Sequence, residues 1–240
     1  MIRRQFLEKT AAIAASMTAI PAITRAVAGN KHESTRALTT PNWKLNPPAA
    51  GQIPVAVAIS EGVTVIDFAG PWEVFQDTMI GDSMPFQLFT VSNKTDPIEG
   101  SAGLKLVPDY TFENAPACRV IVVPAQKGSP ALHDWLRKVS QTADVTMSVC
   151  TGAFQLARAG LLDGKSATTH HDFLDKLEKD FPRIKVMRGT RFVEGEKIST
   201  AGGLTSGIDL ALRVVERYFG RSAATKTAAY MEYQGTGWII

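Results

Sequence analysis

Three short apolar runs constrain this chain most: Val55-Ala56-Val57-Ala58-Ile59, Arg119-Val120-Ile121-Val122-Val123 and Val145-Thr146-Met147-Ser148-Val149. Each is too short for a helix and too continuously apolar for a strand with one wet face, so each reads as a strand buried on both sides. Helical patterns fall between them. One follows the first run, with Pro71 near its first turn and Trp72, Phe75 and Met79 at helical spacing. Another starts at Ser129-Pro130, where a hydroxyl cap precedes a proline whose missing N–H is no loss, and carries Leu132, Trp135, Leu136 and Val139 on one stripe. Alternation of this kind predicts an α/β fold: a mainly parallel sheet between two helical layers, with sites at the loops that leave the carboxyl ends of the strands.

Further elements are expected along the chain. Phe86 to Val91 reads as a strand, residues 97 to 107 as a hairpin around Gly100 and Gly103, and a short Gly-Ala helix begins at Gly152. A helix near Asp172 to Lys179, a strand at Ile184 to Met187 and a hairpin from Arg191 to Ser199 follow. The last clear element is a helix from Ser206 to Phe219, with Ser206 and Asp209 at capping-box spacing. The segment Met231 to Trp238 carries no readable pattern.

The N-terminus reads as an export signal. Arg3-Arg4 precedes Phe6-Leu7, Thr10 to Thr24 is free of charge, and Ala26-Val27-Ala28 is a cleavage-type site. Paired arginines of this kind resemble the twin-arginine signal, which implies transit through that export machinery and a periplasmic protein cut near Ala28. Residues 1–28 are thus the expected signal, 29–53 an extended proline-rich leader, and 54–240 one folded domain. Removing 1–28 takes the composition from 26 basic and 23 acidic residues to 22 of each. The basic excess belongs to the signal, so neither nucleic acid nor an anionic membrane is an expected partner. The uncharged stretch also falls short of the roughly 20 strongly apolar residues of a stable membrane anchor.

Cys150 follows the third apolar run and precedes Thr151-Gly152-Ala153, the layout of a nucleophile elbow at a strand-to-helix turn. A cysteine there meets a helix N-terminus, which favours thiolate and predicts a lowered pKa; the other reading is a buried structural thiol. Cys118 precedes its strand whereas Cys150 follows its own. In a parallel sheet the two then lie at opposite rims, too far apart for the roughly 4.4–6.8 Å Cα separation of a disulfide. Asp67, after the first strand, either caps the helix or turns its carboxyl toward Cys150 as a proton carrier. Glu73 and Asp77 read as a solvated helix face. His170 is either a base beside Cys150 or a structural histidine, and with His171 it lacks the ligand cluster of a recognisable metal site. No metal or cofactor is expected.

Three stretches together resemble a known family: Ser148-Val149-Cys150-Thr151-Gly152-Ala153 continuing through Ala159-Gly160-Leu161-Leu162-Asp163-Gly164-Lys165 to Thr168-Thr169-His170, Asp67-Phe68-Ala69-Gly70-Pro71-Trp72-Glu73-Val74-Phe75, and Thr200-Ala201-Gly202-Gly203-Leu204-Thr205-Ser206-Gly207. They are similar to the ThiJ/PfpI superfamily, which implies a flavodoxin-like three-layer sandwich of the class I glutamine amidotransferase-like kind. The branch they resemble is that of isonitrile hydratase and of the sensing domains of AraC-type regulators. That resemblance implies Asp67 and Cys150 as the working pair with Thr151 beside them, a small-molecule substrate or ligand, and a homodimer. The peptidase branch places histidine directly after the cysteine, where this chain has Thr151, so peptidase activity is disfavoured. Relatives commonly carry Pro-Gly-Gly where this chain has Pro124-Ala125-Gln126. Backbone N–H groups at Ala125, Gln126 and Gly152 are therefore the expected oxyanion or substrate donors, with the Gln126 amide either replacing or blocking that site. A cysteine-dependent hydratase or hydrolase, a sensing module without turnover and a redox role for Cys150 are all open from the sequence.

Overall fold

The computed structural model describes residues 43–240. The expected export signal and residues 29–42 of the leader lie outside the described residues. Residues 43–52 carry no regular element, and Leu45 N–H donates to the Arg217 carbonyl at 2.8 Å.

Seven strands make one sheet: β1 (Ile53–Ala58), β2 (Phe86–Ser92), β3 (Tyr110–Thr111), β4 (Val120–Val123), β5 (Val145–Ser148), β6 (Phe192–Val193) and β7 (Ile198–Ala201). Their spatial order is β6-β7-β5-β4-β1-β2-β3, with every pair parallel except β6 with β7. The three apolar runs of the sequence are the three central strands. Along β1 and β4 alternate residues divide between two cores, Val55, Val57, Val120 and Val122 facing one way and Ala56, Ala58, Ile121 and Val123 the other. Both faces are dry, which is why neither strand alternates with polar residues.

Helices α1 (Val65–Gln76), α5 (Ser206–Phe219) and α6 (Arg221–Tyr230) cover one face, and α2 (Pro130–Val139), α3 (Gly152–Arg158) and α4 (Leu174–Asp180) the other. This is the three-layer flavodoxin-like sandwich. Ser129 caps α2 as its sequence predicts, its hydroxyl accepting from Leu132 N–H at 3.1 Å. The 97–107 excursion is a small antiparallel pair, Ile98–Glu99 with Lys105–Leu106. The expected strand at 184–187 shortens to Lys185–Val186 and pairs with Ser166–Ala167, apart from the main sheet.

Two helix readings need correction. Pro71 lies well inside α1, which begins at Val65, and Met79 falls beyond its end and is exposed. Proline is tolerated there at the cost of one i→i−4 bond, that to the Asp67 carbonyl. Helix α5 is preceded by Thr205, and the Ser206–Asp209 capping box does not form. Asp209 is buried instead, accepting from Arg191 Nε at 2.7 Å and the Tyr233 hydroxyl at 3.0 Å. A buried carboxylate is stabilised far more by a guanidinium and a phenol than by backbone N–H groups that water can serve. The same contact, with buried Trp238, fastens the unread C-terminal segment to α5 and α6.

Candidate active site

Strand β5 ends at Ser148, and Cys150 turns the chain into α3 with φ +57°. For a residue with a Cβ this left-handed conformation costs about 1–2 kcal/mol and persists only if its surroundings hold it. Cys150 N–H donates to the Gly202 carbonyl at 2.7 Å, and its own carbonyl accepts from the Thr169 hydroxyl at 2.8 Å. Two residues on, position 152 must be glycine for space: a Cβ on Gly152 would lie 2.0 Å from the Val123 carbonyl oxygen. The elbow is therefore clamped by β4, by the loop after β7 and by Thr169.

Asp67, in the first turn of α1, is fully buried at the same rim. Its Oδ2 accepts from Ala125 N–H at 3.1 Å, while Oδ1 is buried without a partner of good geometry. Burial pushes its carboxyl up to about 6, opposed by the Ala125 N–H, the Cys150 thiol and the Leu204 N–H. The Cys150 thiol is pushed up to about 11, first by burial and then by the Asp67 charge, with the Thr151 and Leu204 N–H groups pulling down. This overturns the expectation of a lowered pKa. The Thr151 N–H at the entry to α3 does favour the thiolate, but at 8% exposure the thiol loses more hydration than that N–H returns. Above pH 6 the pair thus holds a neutral thiol beside a carboxylate.

The other expected donors are placed differently. Ala125 N–H serves Asp67, and Gly152 N–H is taken by the Val149 carbonyl at 2.9 Å, so neither faces a ligand. The Gln126 side chain folds back, its Nε2 donating to the Ala58 carbonyl at 2.8 Å. Its Oε1 is left buried and unpaired, while its backbone N–H enters no hydrogen bond among the described residues. Leu204 N–H, supported by φ +53° at Leu204, was not read from the sequence as a site group; the Gly202-Gly203 pair before it was the available signal.

His170 makes no hydrogen bond to Cys150 among the described residues. Its Nδ1 accepts from Asp172 N–H at 3.3 Å, and its ring lies so close to Gly203 that a Cβ there would be 2.3 Å from Cδ2. It supports the loop that presents Leu204 rather than meeting the sulfur. His170, His171 and Asp172 bring one possible ligand atom each within 4.8 Å, on consecutive residues of which two are exposed. Glu73 is exposed, and Asp77, half-buried, ends the helix. Cys118 and Cys150 are both free, one before β4 and the other beyond β5.

A family model described as the DJ-1/PfpI family matches residues 54–217. The chain belongs to the DJ-1/PfpI family. Among curated relatives it is 36% identical over 182 residues to an isonitrile hydratase from Pseudomonas putida, covering 71% of this chain and 74% of the relative. It is 31% identical over 137 residues to the HTH-type transcriptional regulator CdhR from Pseudomonas aeruginosa, covering 55% of this chain but only 40% of that protein. A ThiJ/PfpI family protein from Pseudomonas syringae superposes with a TM-score of 0.67 at 27% identity, over 85% of this chain and 84% of the other. This DJ-1/PfpI chain therefore has both enzymes and regulator domains among its relatives, and its elbow and acid are the chemistry by which those roles must be separated.

Proposed function

We propose that this chain is a cofactor-independent, cysteine-dependent hydratase or hydrolase of small electrophiles, with an isonitrile as the first substrate to test. The observation that carries the reading is the buried Cys150–Asp67 pair on a clamped elbow, supported by the likeness to an isonitrile hydratase. A raised thiol pKa means activation by proton transfer rather than a standing thiolate. Sγ adds to the terminal isonitrile carbon, Asp67 takes the thiol proton, and that proton passes to the same carbon to give a thioimidate. Water then adds to the carbon, the C–S bond breaks, sulfur regains a proton and an N-substituted formamide leaves. Isonitrile plus water equals formamide, with no oxidant or reductant. The N–H groups of Thr151 and Leu204 stabilise charge as sulfur ionises.

Because Asp67 must be ionised to accept the proton, kcat/KM should rise with pH through an apparent pKa of about 6 and then level. Stopped assays of isonitrile consumption from pH 4.5 to 8.5 check this, and Cys150→Ser should be inactive throughout. Turnover surviving that substitution would overturn the enzyme reading. A sensing role is the second reading, supported by the regulator relatives; saturable binding of the isonitrile without consumption is its signature. The redox reading has less support, since sensor cysteines depend on low pKa and exposure.

The export reading stands as a proposal resting on Arg3-Arg4 and Ala26-Val27-Ala28. N-terminal sequencing of the protein from its native host should begin near Gly29, and an intact Met1 would sink it.

A further inference from the structure

Beside the elbow, a cleft of about 210 Å³ runs from Thr151 and Gln126 along Phe154, Gln155 and Phe173. Its ionisable lining groups are Lys127, Arg158 and Lys176, and no carboxylate lines it. Lys176 pairs with Asp180 at 2.7 Å on its own helix. Lys127 and Arg158 form no ion pair among the described residues, and Arg158 stacks over the Phe154 ring at 5.9 Å. The inner end differs in character: Gln126 is held by the Ala58 carbonyl through its Nε2, so its Oε1 is an orphaned acceptor. The cleft thus combines a polar inner end, an aromatic wall and an outer rim of one charge sign.

We propose that this cleft selects substrates carrying an anionic group, a carboxylate on a short spacer from the electrophilic carbon. The inference rests on the reading of Cys150 as the reacting group and adds the substrate class. Lys127 and Arg158 hold the carboxylate while Phe154 and Phe173 flank the spacer. Lys127 and Arg158, held in no ion pair among the described residues, also raise the local concentration of anionic ligands.

The test uses N-formylglycine, the hydration product of isocyanoacetate, and the uncharged N-formylglycinamide as probes. Their binding to the Cys150→Ser protein, measured by calorimetry, requires no turnover. The acid should bind at least about 10-fold more tightly than the amide at low salt, with the difference shrinking toward 1 M salt as screening shortens to about 3 Å. Lys127→Gln combined with Arg158→Gln should erase the preference, whereas Lys138→Gln, an exposed cation elsewhere on α2, should leave it intact. Equal binding of the two probes, binding of neither, or a preference that survives the double substitution would overturn the proposal. Consumption of isocyanoacetate by the wild type is followed in parallel. Turnover with no acid preference sinks the anion cleft alone, and acid preference with no turnover sinks the hydratase alone.

Discussion

Asp67→Asn is expected to cut turnover by about 10²- to 10⁴-fold, the usual contribution of a positioned acid or base, while making the protein more stable at neutral pH. The sign follows from the raised pKa. With the folded value near 6 against 3.8 for the free group, the folded state holds the proton more tightly. Asp67's contribution to stability is therefore greatest below about 3.8, declines as pH rises through 3.8 to 6, and above 6 carries the whole cost of the buried carboxylate. That cost is about 1–3 kcal/mol, and asparagine, which accepts from Ala125 N–H without ionising, removes much of it. Thermal unfolding should show a rise of roughly 2–6 °C in Tm at pH 7.5 that shrinks at pH 4.5. Removing the charge also lowers the Cys150 pKa, so iodoacetamide should label Cys150 faster in the variant at pH 8. A variant that is less stable, keeps its turnover and labels more slowly would contradict the pairing of thiol and carboxylate. A gain in stability with a loss of function would mark Asp67 as a group retained for chemistry.

Gly152→Ala should be the most damaging single-methyl change in the sheet-facing part of the molecule. The added carbon would sit 2.0 Å from the Val123 oxygen and 2.9 Å from the Pro124 oxygen. Neither can yield easily, since the Val123 carbonyl also accepts from Val149 N–H at 3.0 Å in the middle of the sheet. Relief requires moving α3, which carries six buried residues, so a loss above about 3 kcal/mol is expected. Gly164→Ala is the comparison: its φ is +72° but its Cβ would meet nothing within 4 Å, so only the conformational cost of about 1 kcal/mol applies. Urea unfolding of both variants separates the two causes. Equal, small losses would show that the elbow can relax, and would weaken the case for a rigidly placed Cys150.

The chain's layered fold was legible because two-sided burial leaves a direct trace: the three apolar runs have no polar face to hide, and each became a central strand. The position of Cys150 was equally legible, since strand end, cysteine and glycine fall within five residues and the turn is local. Helix ends were less so. Asp209 carries the spacing of a cap but serves Arg191 and Tyr233, partners 18 and 24 residues away, which no local pattern encodes. Helix α6 is Ala-rich with a weak stripe, and the segment after it is held by Trp238 and Tyr233 against α5 rather than by any period of its own.

The strand-helix alternation, the shared rim of Asp67 and Cys150 and the separation of the two cysteines all follow from side-chain period and chain direction, and so were readable from the residues alone. Three-dimensional packing set the protonation of the pair, since hydration loss depends on everything packed around a group and outweighs the helix-end effect that sequence position suggests. It also decided which N–H groups serve the sulfur: Ala125 and Gly152 have theirs engaged, and Leu204, distant in sequence, joins Thr151 there. The cationic cleft is of the same kind. Lys127, Arg158 and Lys176 lie on a loop and two helices, and only the packing of α3 against β4 and β5, and of Phe154 against Phe173 at the start of α4, gathers them beside the elbow.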